Sequence, residues 1–220
     1  MTFQSWFREH TRHAPATLWI IALCSVVWLV TAVQAQALND SVWGSSLGSA
    51  MVLWGPAAQV EPWGMARAVT SIFLHLGVGH LIVNMVMLLL IGPEIERFVG
   101  SGPYALAFVA GGLGGSAAIS MFNFNTPTAG ASGAIYALMP VMVAIAYRRS
   151  VDLRAPIVFL AIAVGYTFLA GNVSVWGHLG GVLAGAVMAW PLTSAQVRTR
   201  WLSAGLVALI SGVLIILALT

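Results

Sequence analysis

From residue 17 to residue 37 no side chain carries a charge, and the chain repeats this feature six more times. The hydrocarbon core of a bilayer is crossed by about 20 apolar residues of helix, within a range of about 17 to 25. Backbone groups placed there must be satisfied inside the segment, which a helix does. The further runs lie at about 77–91 (with room for a turn more at each end), 103–121, 131–147, 155–170, 177–192 and 201–219. The expected fold class is therefore all-α, a polytopic membrane helix bundle. Composition agrees: 7% of residues are charged, against about 25% in a soluble domain. Short joins leave no room for a second globular domain. Residues 1–16 form a short polar segment, 17–192 the six-span core, and 193–220 a linker with the seventh helix. The segment 38–74 is too apolar for a free loop and too broken by Pro56 and Pro62 for a span. Its Trp43, Trp54 and Trp63 favour the headgroup zone, placing it in or on the interface.

The basic balance, with a pI near 9.6, does not point to nucleic acid. There is no lysine, and the arginines sit at segment ends. With seven spans, Arg8, Arg12, Arg97, Arg148, Arg149, Arg154, Arg198 and Arg200 share one side, and only Arg67 lies on the other. Arginine-rich loops stay cytoplasmic, so the expected N-terminus is inside and Thr220 outside. Cys24, the only cysteine, cannot form an intrachain disulfide and reads as a small core residue. The long polar start, with no clear cleavage site after it, does not read as a signal peptide.

Polar groups inside a membrane are costly and mark candidate functional sites. His80 and Asn84 stand in the second span, Ser132 opens the fourth and His178 the sixth, while His75 precedes the second. Spans two, four and six all begin on the outer side, so these groups share a depth. His80 and Asn84 are spaced i, i+4 on one helix face, as are Ser132 and Tyr136. Gly177, Gly181 and Gly185 form a small-residue seam, and Gly133 with Ala137 forms another. If the seams meet, Ser132 and His178 come within hydrogen-bond reach, as a serine nucleophile and its base require. Each feature alone has a plainer reading: a packed serine, an interhelical histidine, an interfacial tyrosine. Glu94, Glu96 and Arg97 read as a charged, capped end of the second span.

Taken together, "HLGVGHLIVN" (75–84), "GASG" (130–133) and His178 followed by Gly181 and Gly185 resemble the rhomboid intramembrane serine proteases. The resemblance covers about residues 60 to 190. It implies a six-helix core plus one C-terminal transmembrane helix, with Ser132 as nucleophile and His178 as general base. It makes His80 and Asn84 oxyanion donors and Tyr136 the ring beneath the base. "ERFVGSG" (96–102) places Glu96 at the family's acidic position, and Arg67 matches the arginine of an outer-loop Trp-Arg pair, although Ala66 replaces the tryptophan.

The implied reaction is cleavage of peptide bonds in or near the membrane segments of other membrane proteins. The backbone N–H of Ser132, at a helix start, would join His80 and Asn84 in holding the oxyanion. No acidic residue lies mid-span, so a Ser-His dyad is expected in place of a triad. Gly130 and Gly133 would admit close backbone approach. An aspartyl protease would need two membrane carboxylates, and a zinc protease the His-Glu-x-x-His pattern, which is absent. His75 and His80, five apart, are a poor metal pair. No metal or other cofactor is expected. The rivals are an inactive rhomboid-like protein that binds membrane clients and a small transporter, which would show discontinuous helices and mid-membrane ion ligands. The expected partners are transmembrane substrates and the lipid bilayer, without nucleic acid. The expected location is a bacterial cell membrane with the site opening outward.

Overall fold

The computed structural model describes residues 2–171 and 173–220; Asn172, in the "GNVSVW" loop, lies outside them. A short helix α1 (Phe3–Thr11) precedes α2 (Pro15–Ala35). Segment 38–74 then folds into short helices α3 (Ser46–Met51), α4 (Gly55–Val60) and α5 (Arg67–Thr70), with one 3-10 turn before α5 (Gly64–Ala66) and one after it (Ser71–Phe73). There follow α6 (Val78–Val99), α7 (Ser101–Phe122), α8 (Ser132–Arg148), α9 (Arg154–Leu169), α10 (Val175–Leu192) and α11 (Val197–Leu219). Seven helices thus sit on the seven apolar runs. The described residues form two isolated bridges and no strand, so the fold is an all-α bundle. Five of the helices are long and apolar enough to cross a membrane: α2, α6, α7, α10 and α11. The other two, α8 with 17 residues and α9 with 16, are shorter. At 1.5 Å per residue, α8 spans only about 25 Å of a roughly 30 Å core, so its first residue can lie below the membrane surface.

The second span extends well past residue 91, to Val99, because its polar end has partners. Glu94 pairs with Arg97 at 2.5 Å and with Arg149. Glu96 does not join that charged end; it is buried and turns toward α2. Its carboxylate accepts from the N–H of Ala16 (2.9 Å) and Thr17 (2.8 Å), from Thr17 Oγ1 (2.7 Å) and from Ser101 Oγ (2.6 Å). The N-cap of α2, Ala14, has no side-chain oxygen to offer. Glu96 satisfies the free donors at this helix start from a neighbouring helix, and its charge complements the helix dipole.

Helix α8 lies at the centre, packed by α6, α7 and α10. Close approach among α7, α8 and α10 rests on glycine. A Cβ at Gly115 would stand 2.7 Å from the carbonyl oxygen of Gly177, and one at Gly114 3.0 Å from that of Gly180. The two seams anticipated on α8 and α10 lie against each other. A Cβ at Gly181 would collide with the backbone of Gly133, and one at Gly185 with the backbone of Ala137. Helices α2, α9 and α11 lie outside this trio and turn large apolar side chains such as Leu29, Ile162 and Leu209 outward, as lipid contact requires.

Backbone hydrogen bonds pin segment 38–74 to the rest of the chain. Leu53 and Thr128 exchange backbone hydrogen bonds of 3.0 and 2.8 Å, and Val78 N–H reaches Leu38 O at 3.0 Å. Arg67 is its internal anchor. The side chain is 5% exposed and donates to the carbonyls of Ser49 (2.7 Å) and Val52 (2.9 Å). It is also paired with Glu61. Position 66 is Ala, and the arginine holds the loop through these bonds.

Candidate active site

Ser132 is the first residue of α8, where the first turn of a helix leaves backbone N–H groups without intrahelical acceptors. The chain enters this turn through Gly130, whose φ is +137° and whose N–H donates to Ser71 O at 2.9 Å. A Cβ at Gly130 would stand 2.7 Å from His80 Cε1 and 2.9 Å from Nε2. Glycine is required here twice over, by backbone conformation and by the imidazole beside it. The same point is 3.8 Å from Ser132 Oγ. The serine hydroxyl and the His80 ring edge therefore flank one small space. Asn84, one turn along α6, is buried and donates through Nδ2 to His80 O at 2.8 Å. A carboxamide carries two such N–H donors, so one remains.

His178 opens the facing helix α10 and is buried. Its ring stacks on Tyr136, with centroids 3.9 Å apart and planes 15° apart. Its Nδ1 lies 2.9 Å from Thr167 Oγ1 on α9. Tyr136 Oη donates to Ala163 O at 2.8 Å and accepts from Thr167 Oγ1 at 3.0 Å. These contacts fix a direction. With Tyr136 donating to Ala163 and Thr167 donating to Tyr136, the threonine oxygen has only lone pairs left for His178. All three bonds form together only when the proton sits on Nδ1, which leaves Nε2 as the basic nitrogen.

Thr167 is a residue that the sequence alone does not single out. It is the only buried residue of α9, and its one signal was a hydroxyl close to the outer end of an apolar run. That signal is weak, because such hydroxyls commonly bond the carbonyl four residues back, and Thr167 Oγ1 is also placed to do so, 3.1 Å from Ala163 O.

Ser132 and His178 stand on helices in backbone contact, yet no hydrogen bond joins Ser132 Oγ to the imidazole. The seams meet as expected, but the hydrogen bond expected from their meeting is not formed. A cavity of about 30 Å³ borders Ser132, lined by Ser71, Ser116, Gly130, Gly133 and Ser174 among others. Its volume is that of about one water.

His75 stands apart from this group. It is buried, neither ring nitrogen has a hydrogen-bond partner, and its ring centroid is 5.1 Å from that of His80. Burial, with a further push from His80 and some opposition from the Phe73 backbone, lowers its pKa to about 3. It is a neutral ring packed behind His80.

The chain is similar to known proteins over much of its length. A family model described as the Rhomboid domain matches residues 62–195, more than half of the chain. A rhomboid protease of Bacillus subtilis, GluP, is 38% identical over 133 residues, covering 58% of this chain and 25% of that protein. A second Bacillus subtilis protein named for the same family, YdcA, is 28% identical over 193 residues, 84% of this chain and 92% of that one. Human rhomboid-related protein 3 is 36% identical over 88 residues, 40% of this chain and 21% of its own length. The chain thus spans only a quarter of the length of GluP but nearly all of YdcA.

Proposed function

This chain belongs to the rhomboid family, and from that premise we propose that it is an intramembrane serine endopeptidase acting through Ser132 and His178. The observation that carries the reading is the hydrogen-bond chain from His178 through Thr167 and Tyr136 to Ala163. It spends the Nδ1 proton on the protein and leaves Nε2 free to accept another. That is what a general base needs, and a histidine serving only to bridge helices would not need it.

In this mechanism a substrate carbonyl enters the space between Ser132 and His80. Nε2 of His178 takes the Ser132 proton as Oγ bonds to the carbonyl carbon. The Ser132 N–H, His80 and the second Asn84 N–H receive the negative oxygen. The C–N bond then breaks, the amine leaves with the proton from His178, and an acyl-serine remains. Water repeats the sequence: His178 takes its proton, oxygen attacks the acyl carbon, and Ser132 is released with its hydrogen restored. Thr167 and Tyr136 act as positioning residues, holding the imidazole in plane and in one tautomer, the part an acidic third member would play in a triad. The cavity beside Ser132 has room for the hydrolytic water.

Substrates in this reading are membrane proteins whose helix can unwind near the outer surface, since a hydrogen-bonded helical backbone offers no accessible carbonyl. The even-numbered helices α6, α8 and α10 begin at the end that carries the site, opposite the arginine-rich end. The arginine distribution therefore supports a site opening outward from a bacterial cell membrane, with the N-terminus in the cytoplasm.

The rival reading, a rhomboid-like protein that binds clients without cutting them, draws on the missing Ser132–His178 hydrogen bond. A fluorophosphonate separates the two. The enzyme reading expects the probe to label Ser132 in a manner that Ser132→Ala and His178→Ala each abolish. An unlabelled, well-folded protein would favour the rival.

A further inference from the structure

At the end of the bundle opposite Ser132, a cleft of about 620 Å³ opens among Phe98, Tyr147, Arg148, Trp190, Thr193 and Arg200. Its two arginines are held firmly but only by uncharged groups. Arg148 donates from Nε to Thr193 Oγ1 at 2.7 Å and from Nη2 to Trp190 O at 3.0 Å, with its guanidinium 4.1 Å from the centre of the Trp190 ring. Arg200 donates from Nε to Ser194 O at 2.7 Å, and from Nη1 to Phe98 O at 3.2 Å and Val99 O at 3.0 Å.

Neither arginine has a carboxylate partner among the described residues. Of the acids at this end, Glu94 is engaged by Arg97 and Arg149, Glu96 by the start of α2 and Asp152 by the N–H of Arg154, while Glu9 on α1 pairs with neither arginine. A guanidinium has five N–H donors. Arg148 has spent two of them, leaving three, and Arg200 three, leaving two. Two fixed positive charges thus border one cleft with donors unspent, which is the pattern that receives a phosphate.

The surroundings say which phosphate. Tyr147 and Trp190 are exposed and meet edge to face, at 5.7 Å between ring centres, beside the arginines. Amphipathic rings of this kind sit at headgroup level. We propose that the cleft binds the headgroup phosphate of an anionic phospholipid, with Arg148 and Arg200 as its donors and Trp190 against its glycerol. A zwitterionic lipid brings the same phosphate with an ammonium group that two arginines repel, so the preference is for net negative charge. The inference does not depend on the proteolytic reading.

The test uses the full chain, reconstituted in vesicles of equal parts phosphatidylglycerol and phosphatidylcholine, then extracted in a non-ionic detergent. Co-purifying lipid is quantified by species. The wild type should retain phosphatidylglycerol over phosphatidylcholine by on the order of tenfold. Arg148→Gln with Arg200→Gln should bring the ratio back to that of the vesicle. Arg154→Gln with Arg198→Gln, which removes the same charge from exposed positions of the same end, should leave it unchanged. No enrichment in the wild type, or equal loss in both pairs, overturns the proposal in favour of diffuse attraction. Should the first pair fail to fold, Arg148→Gln alone must still lower the ratio, and an unchanged ratio overturns it. Inorganic phosphate is added separately to protein in phosphatidylcholine. If it raises the melting temperature as much as phosphatidylglycerol does, the cleft is a site for soluble phosphate and the lipid assignment fails.

Discussion

Thr167→Val keeps the shape of the side chain and removes the hydroxyl that holds His178 Nδ1. The ring remains stacked on Tyr136, and Tyr136 remains bonded to Ala163, so packing changes little. What is lost is a buried partner. A buried polar group left without one costs about 1–3 kcal/mol, and the protein can avoid the cost by moving the imidazole proton to Nε2 or by turning the ring. Either escape removes the base from Ser132. At about 1.4 kcal/mol per decade, the expected fall in turnover is roughly 10- to 100-fold, with KM little changed because Thr167 touches no substrate in this reading. The assay is cleavage of a single-span substrate in proteoliposomes beside fluorophosphonate labelling of Ser132, which reads the Ser-His unit without substrate. Both rates should fall together while the melting temperature moves little, and Thr167→Ser should restore both. Full turnover in Thr167→Val would refute the tautomer argument. A loss matched by a fall in folded fraction, with no rescue by serine, would reduce Thr167 to a packing residue.

Other substitutions probe the remaining parts of the site. Asn84→Ala should leave measurable activity, slowed by about 10²–10³-fold as for loss of one oxyanion donor, with slower labelling at an unchanged melting temperature; labelling that falls only with the folded fraction would make Asn84 a brace for α6. Gly130→Ala places a methyl against His80 at a backbone φ of +137°. It should abolish labelling and lower the melting temperature, and an active alanine variant would contradict the packing described. Arg67→Ala frees the carbonyls of Ser49 and Val52. The outer segment should then become sensitive to added protease between α3 and α5 while the bundle survives, and unchanged resistance would show that the backbone bridge to Thr128 suffices.

The helices were readable because bilayer thickness leaves a chain few choices. The ends were harder. The apolar run of the second span stops near residue 91, yet α6 continues to Val99 because Glu94 meets Arg149 and Glu96 meets the start of α2. Both partners are distant in sequence, and no local pattern announces them. Topology is the ground for expecting a common depth for His80, Ser132 and His178, and the glycine seams indicate which helix pair touches. The spacing could not show that the third support for His178 comes from α9. A threonine in an apolar run looks the same whether it bonds its own helix or a neighbour's, and Thr167 is within reach of both. Nor could it show that Arg67 holds the outer loop without the expected tryptophan, because its acceptors are backbone carbonyls, which every residue supplies.

In the proposed mechanism Ser132 and His178 act as one catalytic unit. The direct measurement is the cleavage rate of a single-span substrate in proteoliposomes for the wild type, Ser132→Ala, His178→Ala and the double variant, with insertion and folding verified for each. Groups that act as a unit lose nearly the same when either or both are removed. A single Ser132–His178 unit gives cleavage by the wild type and background rates, indistinguishable from one another, in all three variants. Substantial cleavage by folded Ser132→Ala or His178→Ala would contradict it.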